Sequence, residues 1–152
     1  MEYTDPPNLL EDERMTAIEF KAIREWLAVS GDWLARHLDV DPRTVRNWEQ
    51  GRYPIPDGVR LEVEALEAVT AQTVTANIEA LQIARDPAVV TYRSDEEFWN
   101  AVPDEPRWPA SWHRRVAVRI AQKVPGLVIV EPSDRFRRDH QQSTEKDGPS
   151  IR

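Results

Sequence analysis

The segment VDPRTVRNWEQG, residues 40–51, carries both a start signal and a stop signal for a single short helix. Asp41 is a good N-cap, and Pro42 suits the first helical position because the N–H that proline lacks would have no helical partner there. Gly51 supplies the left-handed residue that commonly ends a helix. The segment therefore predicts a helix over 42–50 whose two ends are fixed by local sequence.

Two further helices are predicted before this segment. Thr16 and Glu19 form a capping box, in which each side chain accepts from a free backbone N–H of the first turn. The first helix then runs to about residues 30–31, with apolar residues at helical spacing: Ile18, Ala22, Trp26 and Val29, widened by Phe20, Ile23 and Leu27. Ser30 caps a second helix over 32–38, whose inward-facing residues are Leu34, Ala35 and Leu38.

Three short helices joined by tight turns match the plan of a helix-turn-helix, whose last helix enters the major groove of DNA. Ala35 falls where two helices cross and a small side chain is needed, while Val45 and Trp48 anchor the last helix. Its opposite face carries the residues predicted to contact bases: Arg43, Thr44, Arg46, Asn47 and Gln50. Arginine can bind guanine O6 and N7, and asparagine or glutamine can bind adenine N6 and N7.

Contacts with the DNA backbone are predicted on both sides of this helix, at Trp33, Arg36, Arg52 and Tyr53. Trp33 lies at the amino end of the second helix, where free backbone N–H groups attract a phosphate. Glu49 is interpreted as structural, paired with a nearby arginine or a helix end. The alternative interpretation of the whole face is the ordinary solvated side of a helix.

The rest of the chain predicts a long helical segment and then a mixed module. A helical rhythm runs from Asp57 to Arg85, either as one helix or as two that meet near Thr70, and Asp86-Pro87 ends it. Beyond it we expect four short elements: a strand over 89–92, a helix from a Ser94 cap to about Asn100, a helix over 110–123 and a strand over 127–130.

These elements predict a mainly α fold, in which a helix-turn-helix bundle of four to five helices precedes a small α+β module. The predicted domains are a disordered acidic arm (1–14), a helix-turn-helix DNA-binding domain (15–86), a small dimerisation domain (87–130) and a disordered tail (131–152). Met15 directly precedes the first helix and is an alternative start of translation.

Two short strands do not form a stable sheet alone. We therefore expect them to pair and to offer an edge to a second copy, or to be covered by the predicted helix over 110–123. A homodimer also suits a helix-turn-helix, because one unit reads only a few base pairs and two copies on a palindrome multiply that discrimination. The residues assigned to dimerisation are Val90, Tyr92, Trp99, Trp108, Trp112, Val128 and Val130. For the tryptophans, the alternative is that they fill a small core.

Composition argues against several other classes of protein. The formal net charge is −7, so any binding of nucleic acid has to come from a local basic patch. The absence of cysteine removes disulfides and thiolate metal sites, and it suits a reducing cytoplasm. No apolar run reaches membrane-spanning length, and three dispersed histidines give no catalytic cluster. We therefore expect a cytoplasmic protein that is not an enzyme and uses no cofactor, metal or membrane.

A resemblance to known families adds to this interpretation. The segment VRNWEQGRYPIP resembles the W-E-x-G-x-x-x-P ending of the helix-turn-helix in phage Cro and repressor proteins. More narrowly, residues 15–66 resemble the anti-CRISPR-associated regulators that carry a C-terminal dimerisation domain, and the similarity continues into SDEEFWNAVPDEP and the Trp112 helix. The resemblance implies a homodimer that binds an inverted repeat in the promoter of its own operon and represses transcription.

Two alternatives stay open at the level of sequence. One is an antitoxin-like or other protein-interaction module that carries a DNA-binding head. The other is a regulator that also binds RNA, namely its own transcript, as some members of the resembling family do. The operator sequence cannot be carried over from the family, because Arg46 and Asn47 fall at its variable reading positions.

Overall fold

The structure, a computed structural model, describes residues 14–104 and 106–134. Most of the predicted arm (1–14) and of the predicted tail (131–152) therefore lies outside the described residues, whereas residues 131–134 are described. The chain divides between Thr73 and Val74 into two compact units. The domain limits predicted from sequence stay predictions.

Helices make up the first unit: α1 (Ala17–Leu27), α2 (Gly31–Leu38), α3 (Pro42–Glu49) and α4 (Asp57–Gln82). α4 is one helix through Thr70 and continues into the second unit, which decides between the one-helix and two-helix predictions. The buried Thr70 hydroxyl donates to the Leu66 carbonyl at 2.7 Å, so this polar group is satisfied within the helix. No helix among the described residues is both long and apolar enough to cross a membrane.

The buried side of α1 differs from the prediction. Three residues that were expected to face the core are exposed: Ile18, Ala22 and Trp26. Phe20 and Leu27, which were predicted to widen that face, are buried, and so is Val29. Both sets have helical spacing, so periodicity alone could not distinguish between them. The Phe20 side faces inward together with Arg24, which binds Glu49 of α3, a contact between residues far apart in sequence.

The second unit contains two strands and two further helices: β1 (Ala88–Val90), α5 (Asp95–Ala101), α6 (Ala110–Ala121) and β2 (Val128–Val130). The strands are parallel, with Ala88 opposite Val128 and Val90 opposite Val130. The predicted pairing is confirmed, although both strands are shorter than predicted and Tyr92 lies beyond β1. α6 packs against β2 and α5. The fold is mainly α with a small two-stranded sheet, as the sequence predicts.

Two hydrogen bonds fix α5 to the start of α6. The Ala110 N–H donates to Asp95 Oδ1 at 2.7 Å, which satisfies a free donor that Pro109, at the N-cap of α6, leaves without a side-chain partner. The Trp99 indole N–H donates to the Trp108 carbonyl at 2.9 Å. Trp108 also stacks on Trp112, with ring centroids 4.3 Å apart. The tryptophans therefore order the connection between the two helices.

Three of the residues assigned to dimerisation are buried inside a single chain, with 7% or less of each exposed: Trp108, Trp112 and Val130. A side chain that is already buried offers little area to a second copy, so core filling describes the two tryptophans. Accessible surface remains at the other assigned residues. Val90, Tyr92 and Trp99 are half-buried, and Val128 is 38% exposed.

Candidate nucleic-acid interface

Side-chain caps set the ends of the two helices that form the candidate interface. Ser30 Oγ accepts from the Trp33 N–H at 3.0 Å and starts α2. α2 ends at Asp39, which adopts the left-handed conformation with φ 56°. Asp41 Oδ1 then accepts from the Arg43 N–H at 2.8 Å and starts α3. Gly51, with φ 73°, follows the last turn. The start and stop signals predicted from the sequence are confirmed.

Small residues let α3 approach α2 closely. Ala35 is fully buried in α2, as predicted for the position where two helices cross. A Cβ on Gly31 would meet Val45 Cγ1 at 3.8 Å, so the start of α2 lies against the inner side of α3. Val45 is buried, and Trp48 packs edge-on against Phe20 of α1 at 6.0 Å between ring centroids. The inner side of α3 is therefore fixed by contacts with both preceding helices.

The outer side of α3 carries the five residues that were predicted to contact bases. Three of them are exposed, namely Arg43, Arg46 and Gln50, and two are half-buried, namely Thr44 and Asn47. Arg52 and Tyr53 follow directly and are exposed, and the Arg52 N–H donates to the Asn47 carbonyl at 3.0 Å. Arg36 is exposed on α2. The structure thus places these side chains at the surface, and their contacts with DNA stay predictions.

Within the part of the chain that the structure describes, the arginines of this surface have no carboxylate partner. Among the described residues, no ion pair or side-chain hydrogen bond involves the guanidinium groups of Arg36, Arg43, Arg46 and Arg52. By contrast, Arg24 pairs with Glu49, and Arg60 pairs with Glu64 at 3.0 Å. Unpaired guanidinium groups keep all their donors available for an external acceptor. The first unit of an acidic protein therefore presents a local set of available cationic donors.

Trp33 is placed differently from the other predicted contacts. Its side chain is only 7% exposed and stacks on His37, with ring centroids 5.2 Å apart. Its backbone N–H is already used by the Ser30 cap. Trp33 is therefore mainly a packing residue of α2, because the amphipathic indole finds an aromatic neighbour inside the unit. A phosphate contact at Trp33 stays a prediction that rests on the small exposed part of the ring.

Glu49 is structural, as predicted, and the structure identifies the arginine that the sequence left unnamed. Arg24 binds Glu49 through Nε and Nη2, and its Nη1 donates to the Val29 carbonyl at 3.1 Å. The sequence did contain one sign of this pair: Arg24 is a charged residue on the apolar side of α1, between Phe20 and Leu27. Its partner lies 25 residues away, so local patterns could not reveal it.

Two short helices joined by a tight turn and seated on α1 define this chain as a helix-turn-helix protein. A family model described as Aca2/YdiL-like matches residues 15–122, well over half of the sequence. The chain belongs to the Aca2/YdiL-like family, which confirms at the family level the resemblance to anti-CRISPR-associated regulators. The Aca2 repressor of Pectobacterium phage ZF40 is 29% identical over 118 residues, which cover 77% of this chain and 95% of that relative.

Proposed function

We propose that this chain is a transcriptional repressor that binds an inverted-repeat DNA operator as a homodimer and reads base edges with α3. The observation that carries the proposal is the outer side of α3. There, arginine side chains that have no ion-pair partner among the described residues share the outer side of the helix with the amide side chains of Asn47 and Gln50. These are the groups that pair with guanine and adenine in the major groove.

Repression is supported by the comparison with the phage protein. The relative from phage ZF40 is named a repressor, and the match spans nearly its whole length. A bound protein that covers promoter DNA excludes other proteins from it. The fold alone does not define the operator, because base contacts depend on the individual side chains of α3.

Dimerisation is proposed through the second unit, at the half-buried and exposed members of the predicted set: Val90, Tyr92, Trp99 and Val128. Two parallel strands of three residues each form a sheet that is small for independent stability, and a second copy could extend it. A two-fold dimer would place two α3 helices on half-sites about one helical turn, roughly 34 Å, apart.

The proposal is tested by selecting bound sequences from a random pool of duplex DNA and measuring affinity for the selected site. The expected result is a two-fold-symmetric site. Replacing Arg43 or Arg46 with alanine should weaken binding by about 1–3 kcal/mol and relax the preference at one base position per half-site. Lys21→Ala is the control, because Lys21 is an exposed cation of α1 outside the predicted face.

Two results would contradict this assignment. One is a pool that yields no preferred sequence at moderate salt. The other is a pair of arginine variants that bind the selected site as tightly as the Lys21 control.

Sedimentation of Val128→Asp tests the dimer separately, because Val128 is partly exposed and its replacement spares the core of the single chain. A monomeric Val128 variant beside a dimeric parent supports the proposed interface, and a parent that sediments as a monomer refutes it.

A further inference from the structure

The start of α1 lies against the end of α3. A Cβ on Gly51 would meet the Ala17 Cβ at 3.7 Å. Phe20, one turn further along α1, packs edge-on against Trp48 of α3. Arg52 directly follows Gly51 and is exposed. The chain therefore enters α1 beside a set of side chains that we call the arginine surface, namely the exposed Arg43, Arg46 and Arg52.

The segment that leads into α1 is strongly acidic. Residues 1–13, which lie outside the described residues, contain no lysine or arginine and carry five carboxylates: Glu2, Asp5, Glu11, Asp12 and Glu13. Six residues separate Glu11 from Ala17, a stretch that reaches up to roughly 20 Å when extended. Arg43 lies eight residues before Gly51, which is only about 12 Å along a helix. The whole arginine surface is therefore within reach of the acidic segment.

The arginine surface has room for external carboxylates. Within the described residues, its guanidinium groups take part in no ion pair. The two carboxylates of the α3 segment have structural roles, because Asp41 accepts from the Arg43 backbone N–H and Glu49 binds Arg24. A guanidinium group offers five N–H donors and forms strong charge-assisted hydrogen bonds with carboxylates and with phosphates alike. The donors that suit DNA therefore also suit an acidic peptide.

We propose that the acidic segment, residues 1–13, binds the arginine surface of its own chain through its carboxylates and competes there with DNA. Covalent attachment makes this contact intramolecular, and a short linker gives an effective concentration of the order of millimolar. Only chains whose arginine surface is free bind DNA, so the apparent affinity falls in proportion to their fraction. The competition rests on the proposed function, whereas the contact itself requires no DNA.

Nuclear magnetic resonance of the full chain without DNA tests the contact. The segment variant, Glu11→Gln with Asp12→Asn and Glu13→Gln, removes three charges and keeps the size of each side chain. We expect it to shift the guanidinium Nε–H signals of the arginine surface, each assigned from the Arg→Lys replacement at that position. The difference between parent and variant should disappear at about 1 M salt, where the Debye length is only about 3 Å.

Affinity for the selected operator tests the competition. The segment variant should bind DNA at least fivefold more tightly than the parent at low salt, and the ratio should shrink as salt screens the contact. The matched control is Glu62→Gln with Glu67→Gln and Glu79→Gln, which removes the same charge from exposed positions of α4. This control should leave the arginine signals in place and change the affinity less than twofold.

Three results would overturn the proposal. The first is a segment variant whose arginine signals match those of the parent. The second is a shift confined to the exposed side of α1, at Ile18 and Trp26, which would mean that the segment contacts α1 instead. The third is an equal gain of affinity in the α4 control, which would make net charge the cause. If no chain binds DNA, the proposed function fails, and the arginine signals still decide whether the contact forms.

Discussion

Arg24 of α1 and Glu49 of α3 form a bidentate ion pair that joins these two helices. Arg24 Nη2 donates to Glu49 Oε2 at 3.2 Å, and Arg24 Nε donates to Oε1. The side chains are only 17% and 14% exposed, so water screens the pair weakly. The same guanidinium holds the Val29 carbonyl at the turn after α1. One arginine thus fixes the end of α3 that precedes Gln50.

Replacing Arg24 with methionine should destabilise the first unit. The change removes one charge from a largely buried pair and leaves the Glu49 carboxylate without compensation, a loss of about 3 kcal/mol in the free energy of unfolding. Urea denaturation measures it. The double variant Arg24→Met with Glu49→Leu should regain part of the lost stability, because it also removes the uncompensated Glu49 carboxylate.

Glu64→Gln is the control for this prediction. It breaks the Arg60–Glu64 pair on α4, in which Glu64 is 46% exposed. Exposed pairs four residues apart on a helix contribute only about 0.3–0.5 kcal/mol, so this variant should unfold nearly like the parent. An Arg24 variant that is no less stable than the Glu64 variant would show that the Arg24–Glu49 pair does not hold α3 in place.

Gly51 and Gly58 should respond to alanine in opposite directions. Gly51 has φ 73°, where alanine is strained even though its Cβ would meet only Ala17 Cβ at 3.7 Å, so Gly51→Ala should cost about 1 kcal/mol. Gly58 lies in the first turn of α4, and a Cβ there meets nothing within 4 Å. Gly58→Ala should stabilise by roughly 0.5–1 kcal/mol. Thermal unfolding compares the pair, and a shift of the same sign in both contradicts the role of Gly51 as a stop.

The ends of the helices could be predicted from the sequence because their causes are local. Thr16 and Glu19 satisfy each other's backbone N–H groups within one turn, and Ser30 and Asp41 cap the helices that they directly precede. Such contacts span two or three residues. A pattern of residue types therefore contains all the information that they need.

The orientation of the helices could not be predicted in the same way. α1 has two apolar sides, and the choice of the Phe20 side over the Ile18 side depends on contacts with α3. Trp108 is buried and stacks on Trp112, and its backbone carbonyl accepts from the Trp99 indole N–H. These partners are brought together by tertiary packing, which composition and spacing do not encode.

The candidate interface could be predicted from the sequence only in part. The side of α3 that would face DNA follows from Val45 and Trp48, whose inward direction the sequence predicted and the structure confirms. A cavity lined by Tyr92, Glu97 and Pro132 left no sequence signal, because its walls come from three separate segments of the second unit. Local amphipathicity reveals the exposed side of a helix more readily than a cavity whose walls are distant in sequence.

Arg52→Ala should weaken operator binding without changing sequence preference. Arg52 follows α3, is exposed and has no ion-pair partner among the residues that the structure describes, so it is proposed to contact a phosphate. Each lost phosphate contact removes about 0.9 from the slope of log K against log salt concentration. Titrations at several salt concentrations should show that decrease once per bound copy. If the slope of log K against log salt concentration is unchanged, or if the base preference changes, Arg52 does not contact a phosphate.

His113 should make the second unit less stable in mild acid. Its ring stacks on Phe98 with centroids 4.7 Å apart, and Nδ1 is buried without a hydrogen-bond partner in the described chain. Burial lowers the pKa of His113 below its ordinary value of 6.5, and the charge of Arg114 lowers it further. The neutral ring is therefore the form that the folded unit accommodates.

The direction of the pH effect follows from the two pKa values. As the pH falls below 6.5, the unfolded chain takes up a proton at His113 while the folded chain does not, so the free energy of unfolding decreases. The decrease continues down to the lower folded pKa and then stops. His113→Phe keeps a stacking ring and cannot titrate. Its free energy of unfolding, measured in urea between pH 8 and pH 5, should fall less steeply than that of the parent. Parallel curves for the two proteins would mean that burial of His113 does not perturb its protonation.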